Sequence, residues 1–415
     1  MNKAKKRLNS WKRVSNVVIE MQSLFGLPGI QKKESHCQCL IGYICYNCQM
    51  KIIFVSNLSN NIDAGLNYSV PAGVKAQQEY DEVLWIDLTK NAFQKHWGEV
   101  EAYHNISQYA NKLKLSNLPA SFSNPDIVVF EGFYYVRHVL FALSLIKKHI
   151  PYIIVPRGSM TKEALFSGNW MKRLKKKAAY LLIFDFFINH AAAIQYLTHG
   201  EKQRSVNYHV PFFILPNGIE VPQSNKKTFS QQINAVFIGR LDIYTKGLDL
   251  LLEALAMLKE ELPKNGFRLD IYGAPRYDCE QLSYIVHRLG LEKFVFNHGK
   301  AVFGVEKEEI LLNSDLFILT SRTEGHPMGL IEALAYGLPV LVTPGTNMAQ
   351  EIQEADAGWI TQCDIVGIQK ALQIIIQERA LLSRKGQNAM ILANRYRWDM
   401  IAMEFHKQVE LLLKS

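Results

Sequence analysis

The sequence predicts an α/β protein built from two Rossmann-like, doubly wound parallel-sheet domains facing a cleft. Three observations lead there. Apolar runs of strand length alternate with amphipathic helical stretches along most of the chain, the pattern of parallel sheets covered on both faces. The alternation starts twice, at KIIFVSN (51–57) and again at NAVFIGR (234–240). The 415 residues suffice for two complete cores. The expected boundaries are a leader over 1–49, a first domain over 50–220, a second over 221–395 and a terminal helix over 396–415.

In the first domain, KIIFVSN reads as a buried parallel strand. Gly65 and Gly73 then bracket a helix start near Tyr68. DEVLWIDL (81–88) is a second strand, and residues 91–121, polar and carrying His96, Trp97, Tyr103 and His104, read as an irregular excursion. PDIVVFEG (125–132), a helix YVRHVLFALSLIKKH and the strand PYIIVP follow. Arg157 stands just beyond that strand, at the edge where ligands of doubly wound sheets lie. Its guanidinium can bind an acceptor or a phosphate but stays charged, so it cannot accept a proton. NWMKRLKKKAAYLLIFDFFINH (169–190) reads as one amphipathic helix with a cationic first half, Lys172, Arg173, Lys175, Lys176 and Lys177. It is either a core helix with a solvated end or a contact with an anionic membrane leaflet.

The second domain restarts with NAVFIGR, a short loop LDIYT and the helix KGLDLLLEALAMLK, whose Leu248, Leu251, Leu252 and Leu255 have core spacing. Arg240 and Lys246 bracket the tight loop between this strand and helix, where two cations suit a phosphate. RLDIYG (268–273) and KFVFNHGKAV (293–302) continue the sheet, with helices at 279–289 and 307–313.

The rest is organised around LTSRTEGHPMGLIEALAYGLPVLVTPGT (319–346): strand end, glycine-rich turn, helix from about Met328, closing Gly337 and a second buried strand. Pro327 lacks an N–H, which costs least at a helix start. The N–H groups of Met328, Gly329 and Leu330 then have no intrahelical partner and suit an anionic phosphate at the positive end of the helix dipole. Gly325 and Gly329 carry no side chain to keep a ligand from the backbone. Glu324 and Glu332 frame the turn, and carboxylates accept hydrogen bonds from hydroxyls. A sugar, a diphosphate and a ribose in one molecule would use all three features.

Together with FIGRLDIYTKGLDLLLEAL (237–255) and PNGIE (216–220) upstream, this stretch resembles the family 4 (group 1) retaining glycosyltransferases of the GT-B fold, which carry a Glu-x7-Glu motif here. The resemblance runs from about Met50 to the C-terminus. It implies that Arg240 and Lys246 grip the diphosphate and that Glu324 orients the sugar, these three being the catalytic set. It implies donor contacts from Gly239, Gly325, His326, Met328, Gly329, Leu330 and Glu332, the last with the ribose. On the acceptor side it points to Gly65, where relatives usually have paired glycines, and to Arg157, where many have histidine. The terminal helix is expected to cross back to the first domain. Implied substrates are a nucleoside-diphosphate sugar and a glycan or polyprenyl-linked acceptor, with retention of anomeric configuration, in surface polysaccharide assembly. No D-x-D sequence occurs, so neither a metal nor any other cofactor is expected. The alternatives are a sugar-nucleotide epimerase of the same architecture and a non-catalytic binder of sugar nucleotides or glycans.

A net charge of +9 first suggests nucleic acid or a membrane. Yet residues 1–49 hold eight Lys/Arg against two Asp/Glu, six of the nine net charges, so no nucleic-acid partner is expected. Cys37, Cys39, Cys45 and Cys48 crowd into that leader beside His36, while Cys279 and Cys363 are isolated. The spacing is not that of a standard zinc finger, and an upstream extension, from a misplaced start codon, is the favoured reading over a zinc module. No signal-peptide pattern is present. A cytoplasmic chain, peripheral at the inner face of the membrane, is expected.

Overall fold

The computed structural model describes residues 49–58, 65–89, 99–162, 180–222, 232–274 and 279–414. Residues 1–48 with their four cysteines, the pair His96 and Trp97, and the cationic half of 169–190 lie outside them.

In the first half, β1 (Lys51–Ser56), α1 (Leu66–Gln77), β2 (Glu82–Asp87), β3 (Tyr103–Asn105), β4 (Ile127–Glu131), α2 (Val136–Lys147), β5 (Tyr152–Val155), α3 (Asp185–Asn189), β6 (Ala193–Tyr196), α4 (His199–Arg204) and β7 (Phe212–Ile214) follow one another. Their strands form a seven-stranded parallel sheet in the order β3-β2-β1-β4-β5-β6-β7. The order reverses between β1 and β4, where the loops part and leave room for a ligand. β1, β4 and β5 are buried along nearly their whole length, which is why they read as unbroken apolar runs.

The second half contributes β8 (Ile233–Ile238), α5 (Leu248–Met257), β9 (Phe267–Tyr272), α6 (Cys279–Leu289), β10 (Val295–Asn297), α7 (Gly304–Asn313), β11 (Leu316–Leu319), α8 (Met328–Ala335), β12 (Val340–Val342), α9 (Ala349–Glu354), β13 (Gly358–Ile360), α10 (Ile365–Gln377), α11 (Leu382–Ala393) and α12 (Trp398–Lys414). Its six-stranded parallel sheet runs β10-β9-β8-β11-β12-β13, with the reversal between β8 and β11. Leu248, Leu251, Leu252 and Leu255 all lie in the core beneath it. The architecture is the expected two-domain α/β fold.

Three local expectations need correction. Residues 91–121 are not wholly irregular: β3 adds a short edge strand, with Tyr103 edge-on to Trp85 at 4.9 Å. Three paired residues are too few to show a period. Gly73 does not bracket the start of α1 but sits inside it, where an added Cβ would lie 3.3 Å from the Trp398 ring. The stretch 169–190 is not one regular helix, since Tyr180–Phe184 is π-helical before α3 begins.

α12 returns to the first sheet. Trp398 lies over Gly218, where a Cβ would meet its ring at 2.3 Å, and Phe405 packs 5.9 Å from Phe54. Asp81 is fully buried and accepts hydrogen bonds from the Met50 N–H at 3.0 Å and Gln77 at 2.6 Å. His406 of α12 reaches the same carboxylate at 2.9 Å. That contact raises the His406 pKa above its ordinary 6.5. A histidine with a raised folded pKa stabilises fully below its unfolded pKa, and the contribution is lost as pH rises through the folded value. His406→Gln is therefore expected to lower the melting temperature most at about pH 6 and progressively less towards pH 9. A thermal unfolding series across that range checks it.

Candidate active site

The site is built where the two strands flanking the second reversal, β8 and β11, end side by side. Beyond β8 the chain passes Gly239 and Arg240 into a loop that Asp242 organises. Its carboxylate accepts the Thr245 N–H and its carbonyl the Lys246 N–H, each at 2.9 Å. Gly247 closes the loop at φ +66, with the Thr320 carbonyl only 2.1 Å from where a Cβ would be. Only glycine allows so close a seat against the end of β11. Lys246 is thereby carried to the residues that follow β11.

There its ammonium meets Glu324 at 2.5 Å, and the Ser321 hydroxyl donates to the same carboxylate oxygen at 2.6 Å. Both charged side chains are largely buried, at 13% and 12% exposure. Arg322 stitches the same two segments together. It forks onto Asp249 at 2.7 and 2.8 Å, donates to the Tyr244 carbonyl at 2.5 Å and lies over the Tyr244 ring at 4.2 Å. Arg240 is nearly half exposed, and its contact with Asp242 stretches to 3.5 Å. A guanidinium so loosely held is available to an anion.

α8 begins at Met328 after an extended Pro327. The Met328 and Gly329 N–H groups donate to no described residue. The Leu330 N–H does, to the Pro327 carbonyl at 3.0 Å, so two free amides face the turn where the sequence implied three. Gly329 also has another reason to be glycine: a Cβ would lie 2.8 Å from the Ile238 carbonyl, so its absence seats the helix against β8. Glu332, one turn further, is ion-paired with Lys307 of α7.

The turn is held by the first domain as well. Arg204 of α4 donates to the Glu324 carbonyl at 2.9 Å, and Asn347 donates to the same carbonyl at 2.6 Å and to that of Gly325 at 3.0 Å. A Cβ on Gly325 would lie 3.9 Å from the Arg157 carbonyl, so the two domains meet at this point. His326 is 7% exposed and packs beside Tyr396, its ring centroid 5.4 Å away. Burial first, and then the nearby Arg157 charge, lower its pKa to about 3, so the ring is neutral.

Arg157 adopts a left-handed φ of +51. Its guanidinium reaches Glu131 at 2.7 Å, Ser69 at 3.0 Å and Asn217 at 2.8 Å, and the neighbouring Gly158 N–H donates to the buried Glu201. It is a braced part of the junction. Gly65 caps α1 with ordinary helical φ and open space around it, so nothing in its surroundings requires glycine. Sequence reasoning missed Arg204, Lys307, Ser321, Arg322 and Asn347. Arg322 and Ser321 lie within the motif stretch, but their partners or roles carry no spacing signal.

Removing Lys246 leaves a shielded carboxylate unpaired, a loss of about 3 kcal/mol for a buried pair. Lys246→Met is expected to destabilise by about that amount, and adding Glu324→Gln to recover a large part of it. Denaturant unfolding of the two single variants and the double variant checks the coupling.

Residues 221–391 match the profile of the family described as glycosyl transferases group 1. The chain is 25% identical to an uncharacterized glycosyltransferase of Haemophilus influenzae, over 80% of this chain and 92% of the relative. It is 24% identical to the N,N'-diacetylbacillosaminyl-diphospho-undecaprenol alpha-1,3-N-acetylgalactosaminyltransferase of Campylobacter jejuni, over 64% and 72% of the two chains. In fold it is similar to the Anabaena protein HepE, solved with UDP and glucose: the TM-score is 0.63 at 17% identity, covering 87% of this chain and all of that one. With two parallel-sheet domains meeting at the Glu324 turn and the matching segment spanning the whole second sheet, the chain is similar to the group 1 glycosyltransferases.

Proposed function

We propose that the protein transfers a sugar, with retention of anomeric configuration and without a metal, from a nucleoside diphosphate to a glycan or polyprenyl-linked glycan in surface polysaccharide synthesis. The observation that carries this reading is the contact between Lys246 and Glu324 beside the two free amides of α8. A diphosphate laid there meets Arg240, Lys246 and the Met328 and Gly329 N–H groups. Lys246 and the two amides are fixed in place before reaction, and preorganised donors at developing charge are usually the largest catalytic effect. In the step that follows, the bond from the anomeric carbon to the diphosphate oxygen breaks. The acceptor oxygen forms its bond on the same face, and the acceptor proton passes to the departing diphosphate. Glu324 orients sugar hydroxyls and Glu332 the ribose. No carboxylate acts as nucleophile.

The Campylobacter relative is named for a polyprenyl-diphosphate acceptor, which supports the lipid-linked choice here. So do the exposed apolar side chains on the first domain, Val136, Leu140 and Leu143 along one face of α2, Ile183 in the π-helical turn and Phe186 in α3. Among the described residues no helix is long and apolar enough to cross a membrane. A peripheral seat on the cytoplasmic leaflet accommodates both facts.

Glu324→Ala is expected to lower turnover by about a hundredfold or more while nucleoside diphosphate still binds within a few-fold of the unaltered protein. Calorimetry and a product assay separate the two effects, and unchanged turnover would count against the assignment. NMR of the product is expected to show the donor's anomeric configuration. Saturating EDTA is expected to leave the rate unchanged, and a loss restored by added Mg2+ or Mn2+ would overturn the metal-free mechanism.

A further inference from the structure

The first sheet has its own reversal of strand order, between β1 and β4, and a recess of ≈ 480 Å³ opens there. This is a common size for a small-molecule site, at the edge of a doubly wound sheet where ligands bind. It is lined by Asn57 and Leu58 after β1, Leu88 and Thr89 after β2, and Tyr135 and Arg137 at the start of α2. We infer that this recess is the acceptor subsite and that it takes a saccharide bearing a negatively charged group, a phosphate or a carboxylate, beside its ring. The inference rests on the transferase reading and names residues for the second substrate.

Two of the walls are tied together. Asp87 is fully buried, and one of its oxygens accepts the Leu58 N–H at 3.1 Å, the Thr89 N–H at 3.2 Å and the Thr89 hydroxyl at 2.9 Å. The loops after β1 and β2 are thereby joined into one wall, and that oxygen is taken up by the protein's own donors. Arg137 crosses to the Leu88 carbonyl at 3.2 Å, and its other nitrogens have no partner among the described residues. The Asn57 side-chain amide likewise has none, so donors and acceptors remain for hydroxyls. Tyr135 packs its ring edge over Gly132, 3.0 Å from where a Cβ would be, which fixes an aromatic surface at the rim. Among the described residues Arg137 is the one charged side chain in the lining. Glu131, at the end of neighbouring β4, is already neutralised by Arg157. Among the described residues the recess therefore favours an anion, and an aromatic surface beside a guanidinium with donors to spare suits a sugar ring carrying one. The same strand ends place it on the edge of the sheet that carries Arg157.

The test uses the full chain and three probes: glucose 1-phosphate, methyl glucuronide and the neutral methyl glucoside, titrated by NMR. At least one anionic probe is expected to bind about fivefold or more tighter than the glucoside. Arg137→Gln is expected to abolish that preference and Arg137→Lys to keep part of it, while nucleoside diphosphate affinity stays the same in all variants. Preference for glucose 1-phosphate points to a phosphate-linked acceptor and for methyl glucuronide to an acidic sugar; either supports the inference. Equal binding of all three probes, or a preference that survives Arg137→Gln, overturns it. Because Arg137→Gln also loses the Leu88 contact, Tyr135→Ala is a second arm, expected to weaken every probe about fivefold; unchanged affinities there also overturn the inference. If the unaltered protein binds the anionic probes through Arg137 but no nucleotide-sugar, the transferase reading fails and the anion site stands alone.

Discussion

A lysine and a glutamate held in contact where two parallel strands end side by side set the terms for the second domain. Neither charge would be tolerated at such low exposure without the other. Bringing them together constrains the backbone on both sides. The loop carrying Lys246 has to lie flat on the Thr320 carbonyl, which demands Gly247. The turn carrying Glu324 has to be tied back by Arg322 and Asn347. α8 has to seat close to Ile238, which demands Gly329. Several residues that look like ligand contacts in the sequence are thus also the conditions under which the ion pair can exist.

The same turn is where the domains touch. Arg204 comes from α4, and the Arg157–Gly158 segment, braced by Glu131, Ser69, Asn217 and Glu201, lies against Gly325. At the opposite end of the second domain, α12 goes back to the first sheet and buries Trp398 over Gly218. The domains are therefore joined by polar contacts at the site and largely apolar ones at the returning helix, and Tyr68 also stacks on Phe303 at 5.9 Å. Glycine at 218 is as necessary to the apolar contacts as glycine at 247 is to the polar ones.

What could be read from the sequence was local. Strands such as β1 and β8 are buried on both faces, so their residues show as contiguous apolar runs. Arg240, Lys246 and Glu324 stand in short segments whose order and spacing carry their meaning. The unread part is long-range. Arg322 and Asp249 are 73 positions apart, and Arg204 is 120 positions from Glu324, distances over which no periodicity speaks. β3 escaped because three residues show no alternation, and the Leu330 amide escaped because its partner depends on the pitch of one turn. His326, which the resemblance implies as a donor contact, is nearly buried beside Tyr396, an environment set by a residue 70 positions away.

The bond from Arg204 to the Glu324 carbonyl ties the domain junction to the ion pair. Parting the domains means giving up a charge-assisted bond to the very peptide that carries the Glu324 carboxylate. Any separation of the domains therefore also releases the turn on which the buried Lys246–Glu324 pair is built, so the junction and the ion pair hold or give way together.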